Sequence, residues 1–214
     1  MNITIIGSGN MGRGIGARLL AGGHNVTLID HHLAKAEQLA KELTSFAQNG
    51  AKVQAAPSGS KITDEIVVPA VPYGATGSLI EQYGQQLAGK IVIDITNPLN
   101  ANYDGLAVPS ETSAAEEIAK ALPENTKVLK AFNTTFAKTL VDGEVKGEPL
   151  DVFIAGNDTE AKNKVSQVVE DGGLRAIDAG ALNRARQLEA LGLLGITLQN
   201  TLSTQFQSAW KILA

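Results

Sequence analysis

Three glycines close to the amino end, within Gly7-Ser8-Gly9-Asn10-Met11-Gly12, have the spacing G-x-G-x-x-G. The apolar, β-branched run 2–6 precedes them, and Ile15, Leu19 and Leu20 follow at helical spacing, so the pattern sits on a strand–turn–helix. Each glycine has its own physical use there. Gly7 permits a tight turn, Gly9 carries no Cβ to block a diphosphate, and Gly12 lets the helix pack closely on the strand. The start of the helix adds unpaired N–H groups and the positive end of a dipole, which suit an anion. A glycine-rich turn alone can be only a turn, but here a second strand ends at Asp30, 18 residues after Gly12. An acidic side chain about 20 residues on is where ribose hydroxyls are held. The reading is therefore dinucleotide binding, with Gly7, Ser8, Gly9, Asn10, Met11, Gly12, Asp30 and the adjacent His31 as cofactor-binding candidates.

Asp30 also bears on which dinucleotide binds. A carboxylate would repel a 2′-phosphate and accept hydrogen bonds from a free 2′-hydroxyl, so Asp30 by itself favours NAD. His31, His32 and Lys35 follow at once and could offer donors to a phosphate if Asp30 turned outward; the histidines equally suit a solvated loop tip.

Elements able to position such a site recur along the 214 residues. Short apolar runs alternate with helix-patterned segments, which predicts an α/β fold, a Rossmann-type doubly wound, mostly parallel sheet with a small C-terminal strand-helix extension. Strands are expected at 2–6, 25–29, 52–55, 65–71, 90–96, 127–132, 151–155 and 174–177, and helices at 12–21, 33–49, 77–87, 113–121, 159–171 and 182–213. Ser113 stands three residues before Glu116 in a capping-box spacing, and Asp158 or Thr159 can cap the helix that follows. The glycine- and proline-containing stretch 142–149 suggests a boundary between a dinucleotide-binding domain, 1–148, and a small lobe, 149–214, completing the sheet and acceptor pocket.

In a doubly wound sheet the carboxyl ends of the strands face the ligand crevice. The fourth strand runs into Val71-Pro72-Tyr73 and the fifth into Asn97-Pro98, so these five residues are expected beside the nicotinamide ribose and ring, with the Asn97 amide suited to a carboxamide. Either X-Pro pair also serves simply to end its strand.

Composition narrows the chemistry. The formal net charge is −4, with no broad positive field for nucleic acid or an anionic membrane, and no apolar run approaches the ~20 residues of a membrane helix. Without cysteine the chain has no disulfide, thiolate metal site or cysteine nucleophile, and its three histidines make a metal centre unexpected. No signal-peptide pattern opens the sequence, so a cytoplasmic location is expected. A Tyr-x-x-x-Lys pair is missing, since Gly77, Leu87 and Ala107 stand four places after Tyr73, Tyr83 and Tyr103; His24, His31 and His32 all belong to the cofactor half. No catalytic acid or base stands out. That absence selects hydride transfer to a flavin-like or deazaflavin ring, in which the cofactors carry the electronics. A non-catalytic sensor of nicotinamide redox state is the alternative.

Gly7-Ser-Gly-Asn-Met-Gly12, Ala131-Phe-Asn-Thr-Thr-Phe136 and Ile177-Asp-Ala-Gly-Ala-Leu182, followed by Arg184, Arg186, Leu188 and Glu189, together resemble the factor-420 (deazaflavin)-dependent NADP oxidoreductases. The likeness covers nearly the whole chain, and the sequence is also similar to the cytosolic reductase domain of the STEAP metalloreductases. The resemblance implies hydride exchange between NADP and a deazaflavin or flavin, in a homodimer, with Phe132, Asn133, Thr134 and Thr135 lining the acceptor pocket. It departs at Asp30-His31-His32, where NADP-using members carry a small polar residue and arginines. Pyrroline-5-carboxylate reductase and the 3-hydroxyacid dehydrogenases fit less well, because they add a larger helical domain. Leu188, Leu191, Leu194, Leu198 and Leu202 share one broad helical face, open to packing on the sheet or to a dimer seam. Arg184 and Arg186 are read as solvated or helix-capping, or as partners of an acceptor carboxylate or phosphate.

Overall fold

The computed structural model describes residues 1–213. Ten strands and seven α-helices alternate: β1 (Asn2–Ile6), α1 (Asn10–Ala21), β2 (Asn25–Asp30), α2 (Leu33–Leu43), β3 (Val53–Pro57), β4 (Ile66–Pro69), α3 (Thr76–Tyr83), β5 (Ile91–Asp94), α4 (Ala114–Ala121), β6 (Lys127–Lys130), α5 (Ala137–Asp142), β7 (Glu144–Val145), β8 (Glu148–Pro149), β9 (Asp151–Gly156), α6 (Thr159–Asp171), β10 (Arg175–Gly180) and α7 (Ala185–Leu202). Eight strands form one sheet in the order β10-β9-β6-β5-β4-β1-β2-β3, and β7 and β8 make a separate two-stranded ribbon. From β3 to β6 this is the doubly wound order, with its switch point between β1 and β4, where a crevice opens at the carboxyl ends of the strands.

The period of two along each central strand builds the layers. Ile66 and Val68, Ile91 and Ile93, and Leu129 face one buried cluster, which includes Ile15, Leu39 and Val165 of α1, α2 and α6. Val67, Val92 and Val128 face the other, with Leu79 and Ile118 of α3 and α4. Each such fully buried side chain contributes roughly 1.5–3 kcal/mol, so a one-residue slip would exchange both faces and is strongly disfavoured.

The expectation of parallel strands holds from β3 to β6 but not at the next pair. β9 runs antiparallel to β6, with Leu129 opposite Gly156 and Lys130 opposite Ala155, and β10 then pairs with β9 in parallel. The intervening chain folds into α5 and the β7–β8 ribbon instead of a crossover helix packed along the sheet, and it returns the strand in the opposite sense. The sequence reading did not anticipate α5. It fits against α1, where a Cβ on Gly14 would come within 2.8 Å of the Ala137 carbonyl oxygen.

Three helices are shorter than expected. The one expected at 33–49 ends at Leu43, continues as a single 3-10 turn, and gives way to a bend with Asn49 and Gly50 at φ 52° and 78°. The 77–87 segment tightens to 3-10 geometry at Gly84. The 182–213 segment is α-helical only as α7, because Ser203 enters the left-handed region at φ 51°. Buried Gln199 then holds the returning tail, its Oε1 accepting from the Phe206 N–H at 2.8 Å. Both expected caps form: the Ser113 hydroxyl oxygen accepts from the Glu116 N–H, and an Asp158 oxygen accepts from the Ala161 N–H.

Candidate functional site

β1 delivers the chain to Gly7, whose φ of +114° and N–H to the Ile29 carbonyl (2.7 Å) bend it sharply into α1. A Cβ at Gly7 would strike the Ala70 carbonyl oxygen, and one at Gly12 the Gly7 carbonyl oxygen, so both positions are closed by backbone. Gly9 differs: nothing lies within 4 Å of the place its Cβ would occupy. Gly9 is also the N-cap of α1, with no side-chain cap and no acidic residue in the first turn. The first N–H groups of α1 therefore open towards space, an anion cradle. The Ser8 hydroxyl beside it is buried without a hydrogen-bond partner, which fits a phosphate oxygen as its absent acceptor.

Asp30 closes one side of this turn. Its Oδ2 accepts from the Ser8 N–H at 2.8 Å and its Oδ1 from the His32 N–H at 2.9 Å. Burial pushes its pKa up, but the His32 and Ser8 hydrogen bonds outweigh that and hold it below the ordinary carboxylate value, so it is ionised at neutral pH. Asp30 and His31 line a cavity of about 450 Å³ together with Ser58, Ser78 and Gln82, and no lysine or arginine is in its wall. The His31 Nδ1 lies 3.5 Å from the Ser58 hydroxyl, and the His32 side chain is exposed.

Val71 and Pro72 separate that cavity from a larger one of about 760 Å³, whose wall includes Gly9, Asn10, Met11, Tyr73, Thr96 and Asn97. Pro98 lies between two wall residues, and its carbonyl accepts from the Ala107 N–H at 2.6 Å, folding segment 99–107 back along the cavity. No His, Asp, Glu, Lys or Arg lines this wall. Burial, with Glu117, Glu189 and Asp94 adding to it, raises the Tyr73 phenol above its ordinary value, so Tyr73 stays protonated.

The remaining expected site residues lie beneath this surface. Phe132, Asn133, Thr134 and Thr135 are buried and are not in the wall of either cavity. The Asn97 amide, expected to meet a carboxamide, is held by Asn133: Asn97 Nδ2 donates to the Asn133 carbonyl (2.8 Å) and Asn133 Nδ2 donates to Asn97 Oδ1 (2.9 Å). Asn133 Nδ2 also reaches the Leu188 carbonyl at 2.8 Å, so the pair ties the crevice to α7. The Thr96 and Thr134 hydroxyls and Asn133 Oδ1 are buried and unpartnered. Arg186 forms two hydrogen bonds with Glu116, at 2.7 and 2.8 Å, and Arg184 is exposed.

Sequence reasoning passed over one charged group at the floor of the crevice. Lys130 Nζ contacts Asp94 Oδ2 at 2.6 Å, Glu189 Oε1 at 2.8 Å and the Thr96 carbonyl at 2.6 Å, and all three charged side chains are at most 1% exposed. Glu189 also receives the Ala114 and Ala115 N–H groups at the start of α4. Burial raises its pKa, against the opposing pull of Lys130. An available signal was an aspartate and a lysine closing two apolar strand patterns, Ile91–Asp94 and Lys127–Lys130, since such residues are almost never buried unless paired.

A doubly wound sheet with an uncapped glycine turn at its switch point and two adjoining cavities defines a Rossmann-type fold. A family model described as NADP oxidoreductase, coenzyme F420-dependent, matches residues 2–98. The F420-dependent NADP reductase of Methanocaldococcus jannaschii is 31% identical over 93% of each chain, and that of Methanothermobacter marburgensis is 31% identical over 92% of each. A solved structure from Arthrobacter sp. FB24, provisionally assigned as an F420-dependent NADP-reductase, superposes with a TM-score of 0.82 at 30% identity, covering 99% of both chains. The rat metalloreductase STEAP3 is 32% identical over 89% of this chain and 36% of its own length. The chain belongs to the coenzyme-F420-dependent NADP oxidoreductase family.

Proposed function

We propose that this protein passes hydride between a nicotinamide dinucleotide and a deazaflavin, or a related flavin-like acceptor. The observation that carries the reading is the larger cavity: it adjoins the open helix start at Gly9, and no His, Asp, Glu, Lys or Arg lines its wall. Such a wall offers a planar ring a surface without a carboxylate, an imidazole or a fixed cation, which suits transfer of a hydride between two stacked rings. A bound dinucleotide would supply the hydride chemistry, and the protein's part is to bind and orient the two rings.

In this reading the N–H groups at Gly9, Asn10 and Met11 and the Ser8 hydroxyl hold the diphosphate. The smaller cavity takes the adenosine, with its ribose against Asp30 and His31. Val71, Pro72 and Tyr73, with Asn97 and Pro98, flank the nicotinamide, and protonated Tyr73 serves as a hydrogen-bond donor. Phe132, Asn133, Thr134 and Thr135 support the acceptor side from below. Segment 149–214 acts as a lobe that completes the sheet and the acceptor pocket. The protein works as a cytoplasmic homodimer, a reading supported by the resemblance and by Leu194 and Leu202, which are 47% and 58% exposed on α7. Among the described residues no helix is long and apolar enough to cross a membrane.

Cofactor preference follows from Asp30. Relatives are named for NADP, but here the ribose end of the smaller cavity has an ionised carboxylate and no lysine or arginine in its wall. This favours a free 2′-hydroxyl over a 2′-phosphate, and NAD is the better-accommodated dinucleotide.

Mixing the protein with NADH or NADPH and a deazaflavin, and following the acceptor's absorbance, tests both statements. Acceptor reduction is expected, faster with NADH, and Asp30→Ser should move the ratio towards NADPH. Tight dinucleotide binding with no reduction of deazaflavin or flavin mononucleotide would refute the oxidoreductase reading. An unchanged ratio in Asp30→Ser would refute the role given to Asp30.

A further inference from the structure

Stability alone does not account for the buried ions at the crevice floor. Buried ion pairs are often no more stabilising than apolar side chains of similar volume, so their persistence asks for another reason. The geometry around Thr96 supplies one. Lys130 donates to the Thr96 carbonyl at 2.6 Å, while Asp94 Oδ1 accepts from the Thr96 N–H at 2.9 Å. Asp94 and Lys130 are themselves joined at 2.6 Å, so one ion pair grips both sides of a single residue where β5 ends. Thr96 is in the wall of the larger cavity, is only 4% exposed, and its hydroxyl has no partner. From α7, Glu189 holds Lys130 at 2.8 Å and caps α4, so the clamp is anchored in two further elements.

We propose that Lys130 is a positioning residue: with Asp94 and Glu189 it fixes Thr96 so that its hydroxyl meets a polar group on the ring bound in the larger cavity. A threonine hydroxyl can donate and accept at once, which suits the carboxamide of a nicotinamide ring placed in this cavity. This rests on the placement of the nicotinamide given above, and the test separates the two.

The experiment compares wild type with Lys130→Met and Thr96→Val. ADP-ribose, which lacks the nicotinamide, is titrated by calorimetry. The emission of bound reduced nicotinamide and the rate of hydride transfer to deazaflavin at saturating dinucleotide report on the ring. Both variants are expected to bind ADP-ribose within about twofold of wild type, while the ring emission moves towards that of free cofactor and transfer slows about tenfold or more, as small misplacements do. A purely structural role would weaken ADP-ribose and ring readouts together, and that result overturns the proposal. So does Thr96→Val with unchanged emission and rate. If Lys130→Met does not fold, Thr96→Val decides alone, since it leaves the ion pair in place. Wild type that fails to bind ADP-ribose would overturn the cofactor placement itself, and this proposal with it.

Discussion

The glycine cradle and the floor of the larger cavity both lie at the carboxyl ends of central strands, yet they are built from opposite materials. The cradle is backbone: a left-handed Gly7, an open Gly9 and the first N–H groups of α1, steadied by long-range bonds from Gly7 to Ile29 and from Ser8 to Asp30. The floor is side chains at 94, 130 and 189, drawn from β5, β6 and α7 and sealed from solvent. At Gly9, binding geometry and stability are separable, because a Cβ added there would meet no protein atom within 4 Å. On the floor they are coupled, because the groups that shape the cavity are also buried charges that cannot be left unpaired.

That contrast is sharpest in Lys130→Met. Removing the cation leaves Asp94 and Glu189 buried together without their partner, and a loss of about 3–5 kcal/mol is expected. Urea denaturation would measure it, and a loss below about 1 kcal/mol would mean the floor relaxes far more easily than its burial implies.

Within the cradle, Gly12 and Gly9 should divide. Gly12→Ala sets a Cβ against the Gly7 carbonyl oxygen, and a cost of about 1–3 kcal/mol is expected, read as a lower denaturation midpoint. Gly9→Val should leave that midpoint almost unchanged and weaken dinucleotide binding about tenfold or more, equivalent to about 1.4 kcal/mol. If Gly9→Val instead unfolded the protein with binding intact, the distinction between the two regions would fail. The smallest effect belongs to Ser113→Ala. It removes one of two caps at the start of α4, and thermal unfolding should show a loss of about 1 kcal/mol, with Glu189 still holding the Ala114 and Ala115 N–H groups.

What could be read in advance follows the same division. The Gly7–Gly12 pattern, the acidic end of β2, the apolar strands and the caps at Ser113 and Asp158 are all local or periodic. Each is set by a few neighbouring residues, which is why they were legible. Asn97 was legible as a residue near the crevice but not in its use, because its amide is held by Asn133, 36 residues further on. The end of α7 at Leu202 was hidden for a similar reason: buried Gln199, by hydrogen-bonding the tail that follows, helps turn it back, a constraint absent from helical periodicity.

By itself, then, the sequence determined an α/β sheet, a glycine turn at its first strand and an acidic residue at the end of its second. Tertiary structure alone decided that β9 reverses direction beside β6, that Asn97 and Asn133 lock together, and that Lys130 meets two carboxylates. The physical reason is range. Backbone geometry and hydrophobic periodicity are written in consecutive residues, whereas a buried charge is tolerable only beside partners that folding brings from distant parts of the chain.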